Sequence, residues 1–74
     1  MILYDEQHGT ELVKTLKTYM DCDGDISEAA DLLHVHKHTV RYRLRRVNEL
    51  TGLDVTKFQD AAQLYLAVRA ADLL

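Results

Sequence analysis

Between Asp25 and Leu50 two apolar patterns of helical spacing are separated by only three residues, His34-Val35-His36. That short gap limits the fold more than any other feature of the chain. Ile26, Ala29, Ala30 and Leu33 recur at i, i+3, i+4 and i+7, and Val40, Leu44 and Val47 fall within about 40 degrees of one another on a helical wheel. A three-residue connection forces two such helices to turn sharply and cross, and the small side chains of Ala29 and Ala30 permit the close approach a tight crossing demands. Val35, the apolar member of the turn, plugs the corner.

This pattern predicts a helix-turn-helix, and the flanking sequence supplies further helices. The chain has no proline, three glycines and almost no period-2 alternation, so the expected fold is all-α, a small domain of about four helices over residues 11-20, 25-33, 37-50 and 57-73. Leu12, Leu16, Tyr19 and Met20 form the stripe of the first, opened by Thr10 as cap with Glu11 in the first turn and stopped by Asp21-Cys22-Asp23-Gly24. Asp25 and Glu28 have the spacing of a capping box for the second. Thr51-Gly52 provides a left-handed stop for the third, with Leu53 set to make the accompanying apolar contact.

Thr56 and Gln59 repeat the capping-box spacing before the last helix, whose expected inner stripe is Phe58, Ala61, Leu64, Tyr65 and Val68. A second stripe, Ala62, Leu66 and Leu73, lies about 100 degrees round. Residues 1-74 make a single domain with no candidate linker, and a domain of that size hides only about 60% of the surface its unfolded chain exposes. So thin a core cannot cover both stripes. The second is either left exposed on a mobile C-terminal helix or forms a surface for a partner, such as a homodimer through Ala62, Leu66 and Leu73.

The formal charge of −3 argues against a polyanionic partner only as an average. Five of the nine basic residues (Lys37, Arg41, Arg43, Arg45 and Arg46) lie within a ten-residue stretch that has no Asp or Glu, while the remainder carries four basic against twelve acidic residues. One concentrated basic element on an acidic body suits a small DNA reader, because only the docking face meets phosphates. No apolar run approaches the roughly 20 residues of a membrane span, and the start Met1-Ile2-Leu3-Tyr4-Asp5-Glu6 is unlike a secretory signal, so a cytoplasmic protein is expected. The single cysteine, Cys22, sits between Asp21 and Asp23, whose charge raises a thiol pKa, and a structural or neutral role is expected for it.

With Val40, Leu44 and Val47 turned inward, His38, Tyr42 and Arg45 point outward, Arg41 and Arg46 flank them, and Thr39 lies at the N-terminal edge. Such a strip matches the width of a B-DNA major groove, about 12 Å. The first residues of a recognition helix reach base edges and later ones hold phosphates, which makes Lys37, His38, Arg41 and Tyr42 the base-reading candidates and Thr39, Arg45 and Arg46 the phosphate candidates. Arg43 leans towards the core and is expected to reach the backbone or an acidic residue of helix 1 or 2. Among residues 34-48 no carboxylate is present to balance this face.

Other functions find less support. His34, His36 and His38 alternate as H-x-H-x-H, but two lie in the turn and one on the helix, with no fourth ligand in nearby sequence, so no metal or cofactor is expected. No Ser-His-Asp spacing or Gly-rich phosphate loop is present, and the chain is short for a substrate cavity of about 300 Å³, which argues against an enzyme. An interaction or dimerisation module that uses the last helix and does not bind DNA is the main alternative.

The run from Gly24 to Val47, and especially His34-Val35-His36 with Thr39-Val40-Arg41-Tyr42-Arg43-Leu44, resembles the C-terminal helix-turn-helix domain of PucR/CdaR-type bacterial regulators, within the wider Fis-like group. The likeness extends from Gly9 through Glu49-Leu50-Thr51-Gly52-Leu53-Asp54 to the helix ending near Leu73. It implies a bacterial cytoplasmic transcription factor binding double-stranded DNA, with an upstream sensory domain in a longer protein. This chain departs from the family pattern at Asp25, where Asn is usual, and at Lys37-His38, where Arg-Asn is usual. The latter pair heads the recognition helix, so the resemblance leaves the target sequence open.

Overall fold

The computed structural model describes residues 11–73, with side chains through Ala70. Among these residues four helices run in the order α1 (Leu12–Asp21), α2 (Ile26–Leu33), α3 (Lys37–Thr51) and α4 (Phe58–Leu73), each within one residue of its expected ends. α1 is the hub and packs against all three others; α2 also packs on α3, whereas α4 lies against α1 alone among the described helices.

The core gathers Leu12 and Leu16 from α1, Ala30 from α2, Val40, Leu44 and Val47 from α3, Val55 from the loop, and Leu64 and Val68 from α4. Ile26, Leu33, Val35 and Leu53 pack against its edge, as the sequence pattern requires of the turn plug and the post-helix apolar contact. Burying each large aliphatic side chain contributes about 1.5–3 kcal/mol. Ala29 and Ala30 are both buried, so their small side chains are what lets α2 come close.

Local hydrogen bonds set the helix ends. Asp25 Oδ1 accepts the Glu28 N–H at 3.0 Å, the expected cap of α2. The reciprocal half of the box is pre-empted, because the Asp25 N–H already donates to the Cys22 carbonyl. Glu11 is not in the first turn of α1 but at its N-cap, in the left-handed region (φ 54) and without a side-chain cap bond; Thr10 lies outside the described residues. Cys22 is buried at the end of α1, and burial followed by the carboxylates Glu28, Asp25, Asp21 and Asp23 pushes its thiol pKa up.

α4 departs most from expectation. Thr56 does not cap it with Gln59; instead the Thr56 N–H and hydroxyl both donate to Asp54 Oδ1, at 2.9 and 2.6 Å, and the Asp54 N–H donates to Asp60 Oδ2. The bond from the Thr56 hydroxyl, then that from its N–H, with Lys57 adding charge, holds the Asp54 carboxyl below the usual aspartate range against its partial desolvation. Of the expected inner stripe, Leu64 and Val68 are buried and Ala61 is half-buried, but Phe58 is 89% exposed and Tyr65 43%. One neighbouring helix can cover only a narrow stripe. Phe58 and Tyr65 instead line an open groove of about 670 Å³ with Tyr19, Met20, Val55 and Leu66. Arg69 fastens α4 to α1, donating to Asp21 Oδ1 at 2.7 Å with its guanidinium 5.0 Å above the Tyr65 ring.

Candidate nucleic-acid interface

The corner between α2 and α3 is closed by backbone bonds. His34 takes a left-handed conformation (φ 59, ψ 42), its N–H donates to the Asp31 carbonyl and the Val35 N–H donates to the Ala30 carbonyl. This paired closure usually places glycine at the left-handed site, so a histidine there carries some backbone strain. His36 follows in an extended conformation as N-cap of α3, without a side-chain cap bond, and its carbonyl accepts from Thr39 and Val40.

The far end of α3 is also anchored. Gly52 is left-handed (φ 74) and its N–H donates to the Asn48 carbonyl, while Asn48 Oδ1 accepts the Val55 N–H at 3.1 Å and pins the following loop. The Thr51 hydroxyl donates to the Val47 carbonyl and accepts from the Leu53 N–H. With Val40, Leu44 and Val47 buried against α1 and α2, the helix is held at both ends and along its inner face.

The outward face therefore has a defined direction. Lys37, His38, Arg41, Tyr42 and Arg45 are exposed, Thr39 and Arg46 half-buried. His38, Arg41, Tyr42 and Arg45 stand at i, i+3, i+4 and i+7, one continuous row. No carboxylate of the described residues forms an ion pair with Lys37, Arg41 or Arg45. Arg46 differs: its Nη1 bonds Glu49 Oε1 at 2.8 Å, just beyond the carboxylate-free stretch. Both side chains of that pair are partly exposed, so the bond is weak and exchangeable, worth about 0–1 kcal/mol.

Arg43 behaves as the wheel predicts, turning inward with only 18% of its side chain exposed. Its Nη1 donates to the Thr15 hydroxyl at 3.3 Å and lies 3.8 Å from Glu11 Oε2, tying α3 to the start of α1. The sequence reading missed Thr15, which is fully buried, although its place between Leu12 and Leu16 on the apolar stripe was the available signal. Of the alternating histidines, His36 and His38 stack, ring centroids 5.5 Å apart and planes 8° from parallel. Among the described residues no group of three or more His, Cys, Asp or Glu is placed to hold a metal ion, and no helix is long and apolar enough to cross a membrane.

A sequence model of the PucR C-terminal helix-turn-helix domain matches residues 12–70. The chain belongs to this family. Its relatives include an uncharacterized protein of Mycobacterium tuberculosis, 45% identical over 65 residues, covering 88% of this chain and 16% of that protein. The proline-responsive transcriptional activator PutR of Bacillus subtilis is 39% identical over 62 residues, 84% of this chain and 15% of PutR. The purine catabolism regulatory protein of the same organism is 36% identical over 69 residues, 93% of this chain and 13% of that protein. The chain thus spans about one-sixth of the length of the curated relatives it matches. Family and regulator relatives together support a DNA-binding regulatory role for the domain.

Proposed function

We propose that α3 docks in the major groove of double-stranded DNA as the recognition helix of a bacterial transcriptional regulator. The observation that carries this reading is the outward row on α3, where Lys37, Arg41 and Arg45 are exposed without a paired carboxylate among the described residues. Like charges at i, i+4, as in Arg41 and Arg45, cost an isolated helix about 0.2–0.5 kcal/mol, a penalty that phosphate removes. Lys37, His38, Arg41 and Tyr42 read base edges; Arg41 has the fork geometry for guanine O6 and N7, and Tyr42 packs on a thymine methyl. Thr39, Arg45 and Arg46 hold phosphates, Arg46 exchanging Glu49 for the backbone. The domain acts by binding rather than catalysis, in the cytoplasm, under a sensory domain elsewhere in the full regulator.

The exposed apolar side of α4 supports a second surface. Phe58 and Leu66 are 89% and 66% exposed and Ala62 is exposed beside them, while the Leu73 side chain lies outside those described. We assign this face to a second copy of the chain, since paired copies would engage half-sites about 34–36 Å apart. A surface this small gives a weak dimer that DNA completes.

Fluorescence anisotropy against a salt series tests the reading. Log affinity should fall with log salt by nearly one unit per phosphate neutralised. A flat response sinks it and leaves the α4 face as the working surface of an interaction module. Arg41→Ala should relax base preference while Arg46→Ala weakens all sequences alike; identical profiles for both refute the division of labour.

A further inference from the structure

Residues two apart on a helix point to different sides, so an i, i+2 pair of rings does not meet there. His36 and His38 meet because His36 stands outside the helix: at φ −78 and ψ 155 it is extended, and an extended residue can project to the side taken by the residue two positions on. The resulting stack, 5.5 Å between centroids and 8° from parallel, lies within the range of favourable offset ring pairs. Both histidines are exposed, and the His36 side chain makes no helix-cap hydrogen bond, which leaves its ring to the stack with His38. His38 in turn heads the row that continues through Arg41 and Tyr42.

We propose that His36 is a positioning residue for base recognition, one that holds the His38 ring in the orientation that sets base preference at the leading end of α3. The inference rests on the DNA reading above. An exposed imidazole explores several rotamers and loses that freedom when it engages a base; a neighbouring ring that already restricts it lowers the loss and favours one orientation over its alternatives. His36 thereby influences discrimination without touching a base. A flat aromatic ring at position 36 serves the same purpose, because the stack depends on ring faces and not on the nitrogens of His36.

The test uses the 74-residue chain, with selection of bound sites from a random DNA pool, anisotropy against salt, and proton NMR of the free protein. His38→Ala identifies the base position that His38 reads. His36→Ala should reduce discrimination at that same position about tenfold, leave other positions and the salt slope unchanged, and move the His38 ring-proton resonances of the free domain. His36→Phe should retain the preference. Uniform weakening for all sequences with a shallower salt slope overturns the proposal, since His36 then contacts phosphate. It is equally overturned if His36→Ala alters a different base position, if His36→Phe behaves as His36→Ala, or if the His38 resonances do not respond. Failure of the wild-type chain to bind any DNA removes the parent reading and this proposal with it. That case is recognisable because the NMR response of His38 to His36→Ala would still be present.

Discussion

α3 and α4 have similar lengths and both carry a buried stripe, yet they are held in opposite ways. α3 buries Val40, Leu44 and Val47 against two helices, is pinned at its C-terminal end through Asn48 and Gly52, and is tied to α1 by Arg43. α4 buries Leu64 and Val68 against one helix, adds the Arg69 to Asp21 bond, and leaves Phe58 and Leu66 in solvent. Their exposed faces differ in chemistry as well, cationic on α3 and apolar on α4. α3 is the more firmly held of the two because it packs on both α1 and α2 and is bonded at its C-terminal end, an anchoring that would fix its direction in the proposed DNA reading. The exposed apolar side chains of α4 leave much of its outer face uncovered among the described residues.

The largest effect that would break this contrast comes from the core. Leu44→Ala should destabilise the domain by about 2–5 kcal/mol in urea unfolding, whereas Leu66→Ala in the monomer should stay within about 0.5 kcal/mol. Comparable losses would mean that α4 is gripped as tightly as α3. Next is Arg43→Met, which keeps the packed stem but removes the bond to Thr15 and the pairing with Glu11. It should cost about 1 kcal/mol of stability and leave the salt slope of DNA binding intact, the reverse of Arg45→Met at a proposed phosphate contact, and equal loss of salt slope from both would dissolve the distinction between arginines.

Smaller again is His34→Gly. Relieving the left-handed conformation should raise stability by up to about 1 kcal/mol, measured by thermal unfolding; a lower melting temperature would show that the imidazole itself stabilises the corner. The smallest effect is pH-dependent. Because the folded-state pKa of Asp54 is depressed, its stabilisation is full above the ordinary aspartate range and disappears as pH falls through the folded value. Wild type should therefore exceed Asp54→Asn in stability at neutral pH and converge with it in acid. A constant difference down to low pH would assign the effect to something other than the carboxylate charge.

Much of this was legible along the chain. The inner face of α3, the Asp25 cap, the Gly52 stop, the inward lean of Arg43 and the exposed row from His38 to Arg45 all follow from the 3.6-residue period and the stereochemistry of helix ends. These are local properties, decided by residues within a turn or two. Where the reading failed, either a competing local turn or the limited cover of a neighbouring helix had intervened. Thr56 donates to Asp54 instead of capping α4, and Phe58 lies in solvent because α1 alone among the described helices packs on α4. Periodicity tells which residues share a face, not how much of that face a neighbour will cover.

The histidines show the same division. Their alternation was plain in the sequence, where it argued against a metal site but gave no sign of ring stacking. Only the extended backbone at His36, set by the corner in which α2 and α3 close on each other, brought its ring against His38. By itself the sequence determined the helices, their buried faces and the basic row, because those depend on spacing along one chain segment. The tertiary structure decided which partners the inward Arg43 meets, Thr15 and Glu11, how little of α4 is buried and that the imidazoles meet, because each of those depends on how the helices pack and on the corner their packing closes.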